Sequence, residues 1–300
     1  MTETRPDFFI VGAPKCGTTS LSEYLRTHPQ IFVCNPKEPF YYSSDYPDMS
    51  KVRGEAEYLA LFADAKASQI RIGEATAIYL NSAVACENIL AATPDARIVV
   101  MLRNPIEMIP SYHAQQLVAL NEDVADLAEA WDLQEARARG ERIPEFCIDP
   151  KLLFYREMAS FGAQVDRLLR ICPREQVQFI LFEDLKADAG AVYATVLDFL
   201  DLEHDGKHSF PTHNQRSTFR SGTMRSLREA LARAPGTERA FIALAEATGI
   251  KGALKRLVRK PAKSKRLDPQ LVARLQSTFA PDIELLSRLL DRDLSHWTPR

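Results

Sequence analysis

The 300-residue sequence predicts an α/β fold in which a parallel β-sheet is flanked by helices on both faces and followed by a helical C-terminal part. Three observations predict it. Short, continuously apolar runs alternate with segments of helical periodicity, as a sheet covered on both faces requires. The first of these runs ends at a glycine and leads straight into a helix. Beyond residue 190 the pattern is mostly helical.

Phe8-Phe9-Ile10-Val11-Gly12 reads as a buried strand, and Leu21 and Leu25, at i and i+4, place a helix over residues 18–26. Residues 31–33 form a second short strand. Pro36, Pro39 and Pro47, interleaved with Tyr41, Tyr42 and Tyr46, mark an irregular stretch. Helices are expected over 55–62 and 82–92, and strands over 70–73 and 97–102, the last with the apolar character of a central parallel strand. Helical patterns cover 105–120, 124–139 and 151–171, and residues 177–182 form a further buried strand. Helices follow over 191–200, 222–247 and 268–290. With no repeat, low-complexity tract or clear linker, a single domain spanning 1–300 is expected, its α/β core over about 8–222 and its helical part over about 223–300.

Hydrophobic residues make up 46% of the chain and charged ones 26%, enough to bury a large core. Lys and Arg number 38 against 40 Asp and Glu, so overall charge excludes a general nucleic-acid binder. The five cysteines are scattered without a CxxC pair, which argues against a disulfide framework or a zinc knuckle. The N-terminus lacks a basic n-region and an A-x-A site, and no apolar run is long enough for a membrane span. A cytoplasmic chain is expected.

The first strand runs into Gly12-Ala13-Pro14-Lys15-Cys16-Gly17-Thr18-Thr19-Ser20-Leu21 and then a helix. Such a turn aims backbone N–H groups at one spot at the positive end of the helix dipole and binds phosphate or sulfate. Gly17 lets the backbone approach the anion, Thr18 and Thr19 offer hydroxyls, and Lys15 supplies a point charge. A Walker A loop places lysine after its second glycine, followed at once by Ser or Thr for Mg²⁺. Here Lys15 precedes Gly17, so a nucleoside triphosphate is not the expected ligand.

The string Pro14-Lys15-Cys16-Gly17-Thr18-Thr19-Ser20-Leu21 closely resembles the 5′-phosphosulfate loop of sulfotransferases that use 3′-phosphoadenosine 5′-phosphosulfate (PAPS), with Cys16 in place of the usual serine. The resemblance covers about residues 8–222 and implies a P-loop-like fold. It implies that the loop residues Lys15, Cys16, Gly17, Thr18, Thr19 and Ser20 hold the 5′-phosphosulfate, with Lys15 near the bridging oxygen. Cys16 reads either as a reactive thiol at a helix N-terminus or as a small replacement for serine. Arg103-Asn104-Pro105, at the end of the strand over 97–102, and Ser111 are similar to the family's 3′-phosphate motif. Arg103 and Ser111 would then grip that phosphate, although Asn104 replaces the commoner Asp. Leu181-Phe182-Glu183-Asp184-Leu185 looks like a family segment whose aromatic residue lies near adenine; capping of a following helix explains Glu183 and Asp184 equally well. His213 to Ser221 sits where the family has a basic loop closing over the nucleotide, which makes Arg220, or Arg216, a candidate phosphate ligand.

Sulfonate transfer needs a base for the acceptor's proton. Lys37-Glu38-Pro39 resembles the Lys-Glu-Pro segment of carbohydrate sulfotransferases, which assigns the role to Glu38; His113 is the rival. Gly73-Glu74-Ala75-Thr76 resembles a further segment of that group, with Ala75 where glycosaminoglycan-modifying members carry lysine. His204, His208 and His213 lack the cysteine or carboxylate partners of a metal site, and no metal is expected. Residues 251–266 carry eight basic and no acidic side chains, and read as a solvated face or as an attraction for an acidic partner. The expected reaction is sulfonate transfer from PAPS to a hydroxyl or amine of a small-molecule or carbohydrate acceptor. The alternatives are a P-loop kinase or NTPase, which Cys16 after the lysine disfavours, and a non-catalytic nucleotide-binding module.

Overall fold

The computed structural model describes residues 4–211, 217–219, 259–261 and 267–298. By its internal contacts the chain divides into two compact units, one of Met1–Met108, Arg156–Asn214 and Val272–Arg300, the other of Ile109–Tyr155 and Gln215–Leu271.

The first unit holds a five-stranded, wholly parallel sheet flanked by helices. Its strands are β1 (Phe8–Gly12), β2 (Ile31–Val33), β3 (Arg71–Ala75), β4 (Arg97–Leu102) and β5 (Val177–Leu181), in the order β2-β3-β1-β4-β5. β1 is central because both its faces are apolar: Phe8, Phe9, Ile10 and Val11 are all fully buried. Gly73 in β3 is required beside it, since a Cβ there would lie 2.0 Å from the Phe8 ring. Chain order reverses on either side of β1, so the carboxyl ends of β1, β3 and β4 open onto the switch-point crevice where ligands of such sheets bind.

Helices α1 (Thr18–Arg26), α2 (Glu55–Ala60), α3 (Ala85–Ala92) and α4 (Pro105–Ala119) lie close to their expected positions. Two expected long helices are interrupted. The stretch 124–139 is α5 (Leu127–Asp132) and α6 (Gln134–Ala138), with the Asp126 side chain accepting from Glu129 N–H and so starting α5 late. The stretch 151–171 becomes a 3₁₀ turn (Pro150–Leu153), α7 (Tyr155–Ala159) and α8 (Phe161–Leu169). Here Asp149 caps the 3₁₀ turn, and Asp282 accepts from the Gly162 and Ala163 N–H groups, so side chains take the backbone donors that a continuous helix would have used. Periodicity alone carried no sign of Asp282, which lies 120 residues from Gly162.

β5 leads into α9 (Phe182–Ala187) and α10 (Ala189–Phe199), and the chain ends in α11 (Pro269–Leu290) and a 3₁₀ turn, Ser295–Trp297. α11 buries Leu275, Phe279, Ile283 and Leu286, an amphipathic stripe at helical spacing. In the second unit, β6 (Ser217–Phe219) pairs antiparallel with β7 (Arg259–Pro261), so part of the basic stretch 251–266 is strand rather than solvated helix or loop. The expected helix over 222–247 lies outside the described residues. Among the described residues no helix is long and apolar enough to cross a membrane.

Candidate active site

The loop from β1 to α1 owes its shape to its residues. Lys15 and Gly17 both adopt left-handed backbone, with φ of 64° and 95°, and Gly17 is the residue that caps α1. Left-handed residues in succession with right-handed ones turn N–H groups toward one side, which makes a concavity for an anion. Gly17 is needed twice over. Its φ disfavours any Cβ, and a Cβ there would lie 2.9 Å from Leu185 and 3.0 Å from the Phe182 ring. The loop is thus packed beneath the first turn of α9, and Ala13 N–H donates to the Met101 carbonyl of β4. Cys16 is fully buried, its Sγ–H toward the Pro14 carbonyl, and burial pushes the thiol up to about 12 against the pull of Arg103 and Lys15. Of the two sequence readings of Cys16, the small serine replacement fits and the reactive thiol does not.

Lys37, to which the sequence assigns no role, joins the loop to Glu38. Its Nζ donates to Thr18 Oγ1 at 3.2 Å and Thr19 Oγ1 at 3.5 Å, and pairs with Glu38 Oε1 at 3.4 Å. The geometry follows from β3: Cys34 N–H donates to the Gly73 carbonyl and Glu38 N–H to that of Ala75, so the loop after β2 leans along the end of β3 toward α1. Glu38 has left-handed backbone (φ 61°), a conformation that non-glycine residues keep only where the surroundings impose it. Lys51 staples the loop by donating to the Lys37 carbonyl.

Ala75 itself is fully buried. Its neighbour Glu74 points inward, its two oxygens accepting from the Tyr58 and Thr76 hydroxyls, each at 2.6 Å. Burial raises this carboxyl from 4.5 to about 7, against the stabilising hydroxyl bonds.

Arg103 leaves the end of β4 with its guanidinium 4.7 Å over the centre of the Phe182 ring. Its Nε and Nη2 donate to Glu107 at 3.3 and 3.0 Å. Glu107 is largely exposed, so this pair is worth only about 0–1 kcal/mol and yields readily to an incoming phosphate. Asn104, where the family motif has Asp, caps α4 by accepting from Ile106 N–H and donates through Nδ2 to the Trp297 carbonyl, a bond that Asp could not make. Arg103, Asn104, Glu107, Phe182, Glu183, Lys186, His296 and Trp297 line one cleft. Glu183 and Asp184 stand in the first turn of α9 but make no capping bond to it; both are held by the C-terminal end instead. Glu183 accepts from His296 Nε2 and Trp297 Nε1, and Asp184 accepts both Arg292 nitrogens.

Thr18, Ser20 and Ser111 are nearly buried, Ser111 within α4. His113 is 5% exposed, its Nε2 donates to the Val124 carbonyl and its ring meets Tyr155 edge-on, the environment of a core histidine. His204 and His208 stand with ring centres 6.4 Å apart, and no group of metal-ligating side chains is found among the described residues. Arg220, Arg216 and His213 lie outside the described residues.

The Sulfotransferase family model matches residues 6–206. The membrane-associated sulfotransferase kil1 of Dictyostelium discoideum is 24% identical over 279 residues, with 70% of this chain and 59% of that protein covered. Human heparan sulfate glucosamine 3-O-sulfotransferase 6 is 29% identical over 198 residues, with 66% and 53% covered. The chain thus spans little more than half the length of these relatives. A solved sulfotransferase from Alicyclobacillus acidocaldarius superposes with a TM-score of 0.70 at 29% identity, over 98% of this chain and 99% of that one. The family match takes in the loop, Glu38, Arg103 and Phe182 alike, and the chain belongs to the sulfotransferase family.

Proposed function

We propose that this enzyme moves a sulfonate group from PAPS to a hydroxyl or amine of its acceptor by in-line displacement. The observation that carries the reading is the link from Thr18 and Thr19 through Lys37 to Glu38, which sets a carboxylate beside an anion-binding loop. In this reading the loop amides, Thr18 and Thr19 hold the 5′-phosphosulfate, and Arg103 and Ser111 hold the 3′-phosphate. The acceptor oxygen or nitrogen forms a bond to sulfur as the bond from sulfur to the 5′-phosphate oxygen breaks. Glu38 takes the acceptor proton, and the departing phosphate keeps the electron pair, its charge met by Lys15 and the loop amides. Lys37, already in reach of both partners, is placed to leave Glu38 for the donor's oxygens as the donor enters. His113 is a poorer base, because its Nε2–H is committed to a carbonyl in a buried site.

No residue directly after Lys15 can hold Mg²⁺ as in a P-loop kinase, since Cys16 is buried and un-ionised. Relatives named for heparan sulfate and carbohydrate support a sugar acceptor, while the buried Ala75 withholds the lysine that glycosaminoglycan-modifying members carry there.

The test is calorimetric titration with 3′-phosphoadenosine 5′-phosphate against ATP with Mg²⁺. Metal-independent binding that Arg103→Ala abolishes is expected, and Glu38→Gln should keep that binding while turnover falls by roughly 10²–10⁴. A preference for ATP with Mg²⁺ would sink the proposal in favour of a kinase.

A further inference from the structure

The cleft beside Arg103 takes one wall, His296 and Trp297, from the C-terminal end of the chain, a part to which the sequence assigns no function. Its floor is Phe182, whose ring is approached by two cations, Arg103 at 4.7 Å and Lys186 at 5.5 Å from the centroid. Its far wall is the Ser295–Trp297 turn, which brings in His296. Two carboxylates already sit on these donors: Glu107 on Arg103, and Glu183 on His296 and the Trp297 indole. Lys186 makes no ion pair among the described residues, and its exposed ammonium lines the same cleft over the Phe182 ring.

We infer that Lys186 and His296 form a second half of the 3′-phosphate site, and that with Arg103 they make the enzyme select a donor bearing a 3′-phosphate monoester over one with a free 3′-hydroxyl. The inference rests on the donor reading above. Its chemistry is that of a dianion among three donors from three elements: the end of β4, the exposed side of α9 and the C-terminal turn. A phosphate dianion competes for these donors better than the exposed carboxylates of Glu107 and Glu183, because it offers three oxygens and a higher charge.

The turn is held in place independently of any ligand. Arg292 grips Asp184 with both nitrogens, at 2.5 and 2.6 Å, and Asn104 Nδ2 donates to the Trp297 carbonyl. His296 is thus presented on a fixed support, and its side chain remains accessible, 54% exposed. Replacing it, or the exposed Lys186, removes a donor without opening the core.

The experiment titrates the full chain calorimetrically with 3′-phosphoadenosine 5′-phosphate and with adenosine 5′-monophosphate, which differ only in the 3′-phosphate. Wild-type protein should prefer the former. Lys186→Gln and His296→Gln should each reduce that preference by about fivefold to tenfold, and the double variant by more, with affinity for the monophosphate within about twofold of wild type. Wild-type preference retained in full by the double variant overturns the inference and leaves the donor reading standing. Equal loss of both ligands in the variants also overturns it, since that is the signature of a disturbed fold. A wild-type protein that binds neither nucleotide, or both equally, overturns the donor reading itself and the inference with it.

Discussion

Replacing Glu74 by glutamine removes one buried titration from the protein, and the effect on stability can be worked from its surroundings. Glu74 is fully buried at the end of β3, its carboxyl raised from 4.5 to about 7 by burial. The unfolded chain therefore gives up this proton first as pH rises. Below about pH 4.5 both states hold it and the contribution to stability is complete. Between 4.5 and about 7 the folded state still holds a proton that the unfolded state has lost, and stability falls. Above about 7 the loss is complete, and its size is the gap between the two values, roughly 3 kcal/mol. Glutamine does not titrate, yet it has the same shape and can bond to the Tyr58 and Thr76 hydroxyls. Urea unfolding of both proteins at about pH 5 and about pH 8 reads the difference directly. The stability of Glu74→Gln relative to wild type should improve by roughly 2.5 kcal/mol between the two conditions, since part of the loss is already present at pH 5. Identical pH dependence in the two proteins would refute the reasoning, because it would mean that Glu74 titrates in the fold as it does in water.

Other outcomes follow from the same geometry. Gly17→Ala forces a Cβ to within 3.0 Å of Leu185 and Phe182 at a φ of 95°, and should cost about 1–3 kcal/mol in thermal or urea unfolding along with most nucleotide affinity. Lys37→Ala should weaken binding of 3′-phosphoadenosine 5′-phosphate and lower turnover, whereas Lys37→Arg should recover more of the binding than of the turnover; isothermal titration and steady-state rates separate the two. In the second unit Arg137 and Glu122 are both fully buried and paired through two 2.7 Å bonds, with Tyr155 donating to the same carboxylate at 2.6 Å. Arg137→Met strands that carboxylate and should destabilise by about 3–5 kcal/mol, while replacing both partners with apolar residues of similar size should recover most of the loss.

What could be read from the chain was what is local. Phe8 to Ser20 specify a buried strand, a left-handed turn and a helix within a dozen neighbours, so loop and first helix stand where the pattern put them. The strand before Arg103 is legible for the same reason, because continuous apolar character over six residues already implies a covered central position. The helices expected at 124–139 and 151–171 show the limit: Asp126 delays the start of the first and Asp282 takes backbone donors at the break in the second, and periodicity does not register a competitor. Lys37 stood in the quoted string, but its reach to Thr18 and Thr19 appears only once the end of β3 has folded its loop back over α1.

By itself, then, the sequence determined the parallel sheet, the turn from β1 into α1 and the positions of Glu38 and Arg103, since each depends on residue types within a few positions of one another. Tertiary structure decided that Cys16 is an inert buried thiol, that Glu74 faces inward, and that Glu183 accepts from His296 and Trp297, more than a hundred residues downstream. The physical reason is that burial and long-range pairing are properties of the whole packed chain, fixed by which surfaces meet, and no window along the sequence contains both partners.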